Sequence, residues 1–399
     1  MFLMLRCIQN DCSRQEENKF MLIDRISQMI EMKEIQNKYG DIHGTPPYNV
    51  SSWLTSPSYS QEMLANMKMP EIDNIEYIYT YSMDKQILND VKRKLAPNVG
   101  DECGITFVDN GTQAIMTLGN MIKHNNYKKI CIINPAYFSV AQAFRAFDIK
   151  YDCVNLQRIG EQYLLPYDEL IAARYDVVWL TSPIFSTSVY YDQNAEEMIH
   201  KIMEMGTLVI SDECFCVSGN ELIHRVKNSE NFIGIYSPHK SLCINTYKFS
   251  ALIYPNRFDT FIEHWVDVLT GNLPASAISA VSHFLSPNYD VCLNVYREFM
   301  LAARNDVQAI LHSKDDIIVD EILVGSLLTL YFKNLTYEQS RSLSFLENVI
   351  FNTGTAFYPS FLNGLDETFG FAFRINLALC DKAFLAALDC LVGHLSAYK

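Results

Sequence analysis

Residues Cys103–Val140 read "CGITFVDNGTQAIMTLGNMIKHNNYKKICIINPAYFSV". An uninterrupted apolar run ends in Asp-Asn-Gly, a helix-period segment follows at once, and a second apolar run, "ICII", comes next. The pattern then repeats as "FSVAQAFRAF", "YDVVWL", "AEEMIHKIMEM" and "TLVIS". Short β-rich runs alternating with amphipathic segments define an α/β chain. Strands so uniformly apolar and joined through helices predict a mostly parallel central sheet covered by helices on both faces.

Working outward, "FIGIYS" and "FSALIYP" flank a loop carrying Lys240 with no helical crossover, which predicts an antiparallel pair. Beyond "TGNLPASAISAVSHFL" the pattern turns to long helices, with "YDVCLNVYREFMLAARNDVQAIL" leading into a C-terminal lobe. That lobe holds "SLLTLYFK", "AFYPSF" and "GFAFRINLAL" before a closing helix, "DKAFLAALDCLVGHL". The division expected is an N-terminal arm over residues 1–74, a large sheet domain over 75–285, and a C-terminal part over 286–399. The two terminal segments together form a smaller α+β domain.

Composition narrows the function. The 399 residues are 49% hydrophobic and 20% charged, with a formal net charge of -14. Neutralising a phosphate backbone or an anionic bilayer needs a basic surface, so the balance argues against nucleic-acid and membrane partners. No apolar run reaches bilayer-spanning length, and "MFLMLRCIQNDC" lacks the form of a secretory signal. The 11 cysteines are irregularly spaced, without paired ligand spacing. They read as reduced thiols of a cytoplasmic protein with no metal site.

Three local motifs carry chemistry. In "VDNGTQAIM", Gly111 frees the backbone where a strand meets a helix, and the N–H groups of Thr112 and Gln113 could bind an anion. Glycine serves the same turn in many proteins for geometry alone. In "LVISDECF", Asp212 ends an apolar strand, where open α/β sheets bind ligands. A buried carboxylate there requires a cationic partner. In "IYSPHKSLCINTYKFSALIYP", Lys240 is the lysine between the two apolar runs.

The order of these motifs, with an aromatic after "NP" and a late "FRINLA", resembles the fold-type I pyridoxal-phosphate enzymes of the aminotransferase class I/II family, from about Tyr79 to the C-terminus. The resemblance implies a pyridoxal 5'-phosphate cofactor joined to Lys240 of "SPHK" as an imine. It implies Asp212 on the protonated ring nitrogen and Tyr137 of "INPAYF" stacked on the ring. The phosphate would lie on Gly111, Thr112, Gln113, Ser237 and Lys248, with Tyr79 reaching the neighbouring subunit's phosphate. Arg374 of "FAFRINLAL" would clamp the substrate α-carboxylate through two parallel hydrogen bonds.

The sequence also departs from the family pattern. Lys248 stands where arginine is usual, and Thr246 and Ser250 where glycine is common. Phe185 and Phe215 replace the asparagine and tyrosine that donate to the cofactor's phenolic oxygen, leaving Ser186, Thr187, Ser188 and Tyr190 as substitute donors. His239, beside Lys240, reads either as a catalytic proton shuttle or as a structurally bonded histidine. The implied function is an aminotransferase acting on an amino acid and a 2-oxo acid, as a homodimer with shared active sites. The alternatives are a lyase, cyclase, decarboxylase or oxidase of specialised amino-acid metabolism, or a non-catalytic pyridoxal-phosphate-binding protein.

Overall fold

The computed structural model describes residues 27–68, 84–160, 162–225, 229–270, 273–322 and 324–398. Tyr79 and the expected boundary at residue 74 lie outside the described residues. In chain order the strands are β1 (Tyr48–Asn49), β2 (Cys103–Val108), β3 (Ile130–Asn134), β4 (Asp152–Asn155), β5 (Gln157–Ile159) and β6 (Gln162–Leu164). Next come β7 (Val177–Thr181), β8 (Leu208–Glu213), β9 (Phe232–Tyr236) and β10 (Ser250–Pro255). The last five are β11 (Ile317–Val319), β12 (Leu327–Phe332), β13 (Thr355–Ala356), β14 (Tyr358–Pro359) and β15 (Phe371–Asn376).

Seven strands form the main sheet in the order β2-β10-β9-β8-β7-β3-β4. The pairs β9–β8, β8–β7, β7–β3 and β3–β4 are parallel, while β10 runs antiparallel to both β9 and β2. The α/β alternation expected from Cys103–Val140 and its repeats is therefore realised, as is the antiparallel pair around Lys240. The continuous apolar runs follow from burial of both faces. Along β7, Val177 and Trp179 enter one core with Phe144 and Leu118, while Val178 and Leu180 enter the other with Ile199 and Met203.

The helices close these cores by ordinary amphipathic logic. Helix Gln193–Glu204 buries Ala195, Ile199, Ile202 and Met203, a spacing that lines one face, and starts on Asp192, whose carboxylate accepts from Ala195 N. The second core runs on without a break into the C-terminal lobe, where Leu330 and Phe373 belong to it. There β11-β12-β15-β14 form an antiparallel sheet, and β1 pairs with β13 from the same region. N-terminal and C-terminal segments thus share a lobe. No helix among the described residues is long and apolar enough to cross a membrane.

Parallel strands carry their C-terminal ends to one edge. Gly111 follows β2, Tyr137 follows β3, Phe185 follows β7, Asp212 sits near the end of β8, and Lys240 follows β9. Topology alone brings these five distant positions to one rim.

Candidate active site

A cleft of about 410 Å³ opens at that rim. Lys240, Tyr137, Phe185 and Phe215 line its sheet side, and Arg374, Tyr358, Asn363 and Asn376 line the side given by the C-terminal lobe. Lys240 lies in a single helical turn, Pro238–Ser241. Its ammonium stands 4.4 Å from the Phe215 ring centre and 5.4 Å from that of Tyr137. Two aromatic faces thus lie against the half-buried amine and take part of its water, a setting that favours a lysine nucleophile.

Arg374 is the centre of β15, opposite Tyr358 of β14 and Thr329 of β12. It is 3% exposed. Its guanidinium reaches Ser186 Oγ and Ser51 O only at 3.5 Å, its Nε bonds nothing, and no ion pair to it occurs among the described residues. Burial pushes it down from its ordinary value to about 9, with the nearby hydroxyls of Tyr358 and Tyr137 acting the other way. A guanidinium does not readily give up its proton, so the stable resolution is an anion brought into the cleft.

Beneath the cleft, Cys214 joins the remaining elements. Asp212 is buried, and its Oδ1 accepts from Cys214 N at 3.2 Å. Ser237 donates to Cys214 Sγ at 3.3 Å and shares a 2.5 Å hydrogen bond with Ser250. Gly111 comes so close that an added Cβ would lie 2.5 Å from Cys214 Sγ. Lys248 is pushed down by burial and by the charge of Lys240, with Cys214 opposing. Two lysines and a helix N-terminus thus approach the same thiol as Asp212, and the cationic end of this cluster is suited to a phosphate.

Two expectations need correction. The N–H of Gln113 is not free, because the N-cap Asn110 extends its side chain to accept from it at 3.0 Å. The amides of Gly111 and Thr112 remain available. The substitute hydroxyls do not line the cleft: Thr187 donates to Ile184 O and Ser186 to Asn363 Oδ1, while Ser188 and Tyr190 accept from Leu327 N and Val217 N and lie outside the lining. Phe185 and Phe215 do line the cleft and offer no donor.

His239 does not line the cleft. Its ring is fully buried against Phe249 and Tyr289, and its Nε2 meets His283 Nδ1 at 3.0 Å. Burial first and His283 second push it down to about 3, so it is neutral at ordinary pH. A proton-shuttling role has no geometric route here, because one helical turn points His239 and Lys240 to different sides.

Sequence reasoning missed Cys214 as a hub and missed Trp53. The Trp53 ring stacks on Phe215 at 5.1 Å, and the Arg374 guanidinium lies 3.8 Å from it.

The assembled fold and rim define a class of architecture. Neither a family model nor a curated protein sequence matches the chain. Among solved structures, it is similar to YbdL from Escherichia coli, described as having a methionine aminotransferase function, at TM-score 0.70 and 16% identity over 91% of this chain and 95% of that one. It is similar to Bna3p, a putative kynurenine aminotransferase from Saccharomyces cerevisiae, at TM-score 0.74 and 11% identity over 92% and 95%. A PLP-bound C-S lyase from Staphylococcus hominis matches at TM-score 0.65 and 14% identity over 88% and 92%. The chain has the fold of the fold-type I pyridoxal-phosphate enzymes.

Proposed function

We propose that this protein is a pyridoxal-phosphate-dependent enzyme acting on an amino acid, and that it is an aminotransferase using a 2-oxo acid as acceptor. The observation that carries the reading is Arg374, a buried cation with no carboxylate against it, across the cleft from Lys240. One group suits the carboxylate of an amino acid and the other its amino end.

The residues fit the cofactor. Gly111 and Thr112 amides, Ser237 and Lys248 would hold its phosphate, and Tyr137 offers a face to its ring. Asp212, buried with no cation bonded to it among the described residues, would hold a protonated ring nitrogen. Bound there, the cofactor supplies an electron sink for charge developing at the substrate Cα. Lys240 attaches the cofactor and moves a proton at that carbon. Arg374 fixes the carboxylate and so decides which Cα bond stands across the ring plane.

The family resemblance implies a homodimer with Tyr79 at a shared site, and the irregular spacing of the thiols supports a cytoplasmic location. Phe185 and Phe215 favour a second reading, elimination or another specialised outcome, because they withdraw the donors that steady the cofactor's phenolic oxygen.

The test is incubation with pyridoxal phosphate and an amino-acid panel, with and without a 2-oxo acid, followed by product masses. Amino transfer that needs the acceptor supports transamination, and product formed without it supports the second reading. A protein that gains no visible absorption, or one whose absorption survives Lys240→Ala, defeats both.

A further inference from the structure

The cleft is charged at two points only. Among its described lining residues the ionic groups are Lys240 and Arg374, and the amino end and the carboxylate of an amino acid engage both. What remains for the substrate's side chain is mainly apolar: Met29, Trp53, Phe138, Phe185 and Leu362, with the Tyr358 ring beside them. No carboxylate waits for a basic side chain and no third cation waits for an acidic one. A second charge in that space would lose part of its water and gain no partner among the described lining residues.

Trp53 is the residue that shapes this subsite. It is 40% exposed, and Met29 at the same mouth is 41% exposed, so both present apolar surface that a ligand can still cover. Exposure here does not mean looseness. Asn376 donates to Ser52 O at 2.8 Å and to Leu54 O at 2.9 Å, pinning the chain on both sides of Trp53. Ser51 is tied to β15 and β14 through its hydroxyl, which donates to Arg374 O and accepts from Tyr358 N. The indole then stacks on Phe215 and carries the Arg374 guanidinium. A guanidinium binds a carboxylate with in-plane N–H groups and an aromatic ring with its face, so both contacts can coexist on Arg374.

We propose that the substrates are amino acids with a neutral, bulky apolar side chain, aliphatic or aromatic, and that Trp53 is the specificity-determining residue. This inference rests on the reading of Lys240 and Arg374 given above. Because Trp53 is already held in place, binding such a side chain orders little of the protein, and burial of the indole converts directly into discrimination.

The test titrates the cofactor-loaded protein with phenylalanine, norleucine, alanine, aspartate and lysine, following cofactor absorption and tryptophan fluorescence. Calorimetry on the protein without cofactor runs the same panel. Phenylalanine and norleucine are expected to bind roughly tenfold or more tighter than aspartate or lysine. Trp53→Ala, which also takes the ring from the Arg374 guanidinium, should weaken every amino acid but cost phenylalanine roughly tenfold more than alanine, and Trp53→Phe should keep most of the preference. A preference for aspartate or lysine, a flat panel, or an equal loss for alanine and phenylalanine overturns the inference. Absent cofactor absorption defeats the enzymatic reading alone, since the calorimetric order still decides side-chain selectivity.

Discussion

Arg374 is buried in β15 between Phe373 and Ile375, and no acid pairs with it among the described residues. Arg374→Met should therefore raise the free energy of unfolding, by on the order of 1 to 3 kcal/mol, since it removes an uncompensated buried charge. The same change should weaken binding of amino-acid carboxylates by about 100-fold, as two charge-assisted hydrogen bonds are lost. Urea denaturation and ligand titration measure the two effects, and a destabilised Met variant would show that Arg374 is structural. His239 gives the opposite coupling. Its folded value of about 3 lies below the unfolded 6.5, so the unfolded chain takes up the proton first as pH falls. The contribution is complete above pH 6.5 and is lost below it, by about 2 kcal/mol between roughly pH 7 and 5. His283, pushed down to about 4 by burial and then Lys94, acts in the same direction. His239→Asn should flatten the pH dependence of the denaturation midpoint over that range, and an unchanged slope would count against this account.

At the scale of elements, the proposed phosphate cup is a strand, a glycine and a helix start fitted against one thiol. Gly111→Ala sets a Cβ against Cys214 Sγ, a thiol that accepts from Ser237 on a residue whose backbone N–H donates to Asp212. The expected cost is about 1 to 3 kcal/mol with weaker cofactor affinity. Cys214→Ala should relieve it in the double variant, because the Cys214 Cβ would lie 3.9 Å away, an ordinary contact. Thermal melts of the four proteins in the cycle decide this, and additivity would exclude the proposed clash. The case also shows what sequence conveys. The strand ends bearing Gly111, Asp212 and Lys240 were legible because two-sided burial writes itself as continuous apolar runs. The Asn110 cap was legible in principle from Asn-Gly at a strand-helix junction, yet it takes the Gln113 amide from the anion. The fit of Gly111 to Cys214, and of Trp53 to Arg374, depends on tertiary approach between distant segments, for which periodicity leaves no mark.

Across the whole molecule, the sheet domain and the C-terminal lobe have to keep a fixed relation, since Lys240 belongs to one and Arg374 to the other. One buried polar cluster spans that junction away from the cleft. Arg158 of β5 bonds Asp320, just after β11, at 2.9 Å, with side chains 9% and 2% exposed. Tyr163 of β6 donates to the same carboxylate, and the guanidinium lies 3.7 Å from the ring of Tyr331 on β12. Neither the hairpin β5–β6 nor this pair was anticipated from the sequence, because short half-polar strands lack the apolar signature of the main sheet. Asp320→Asn leaves Arg158 buried with its charge uncompensated, which should cost about 3 to 5 kcal/mol, far more than a surface pair is worth. Replacing both ends, as Arg158→Met with Asp320→Leu, removes the stranded charge and should recover most of that loss. Denaturant unfolding of the single and double variants tests the account. If the single variant costs less than about 1 kcal/mol, the junction is held by the shared apolar core instead, which also runs unbroken from Leu180 to Phe373. If it costs the full amount, a charge pair outside the cleft's lining helps hold together the two parts of the chain that bear Lys240 and Arg374.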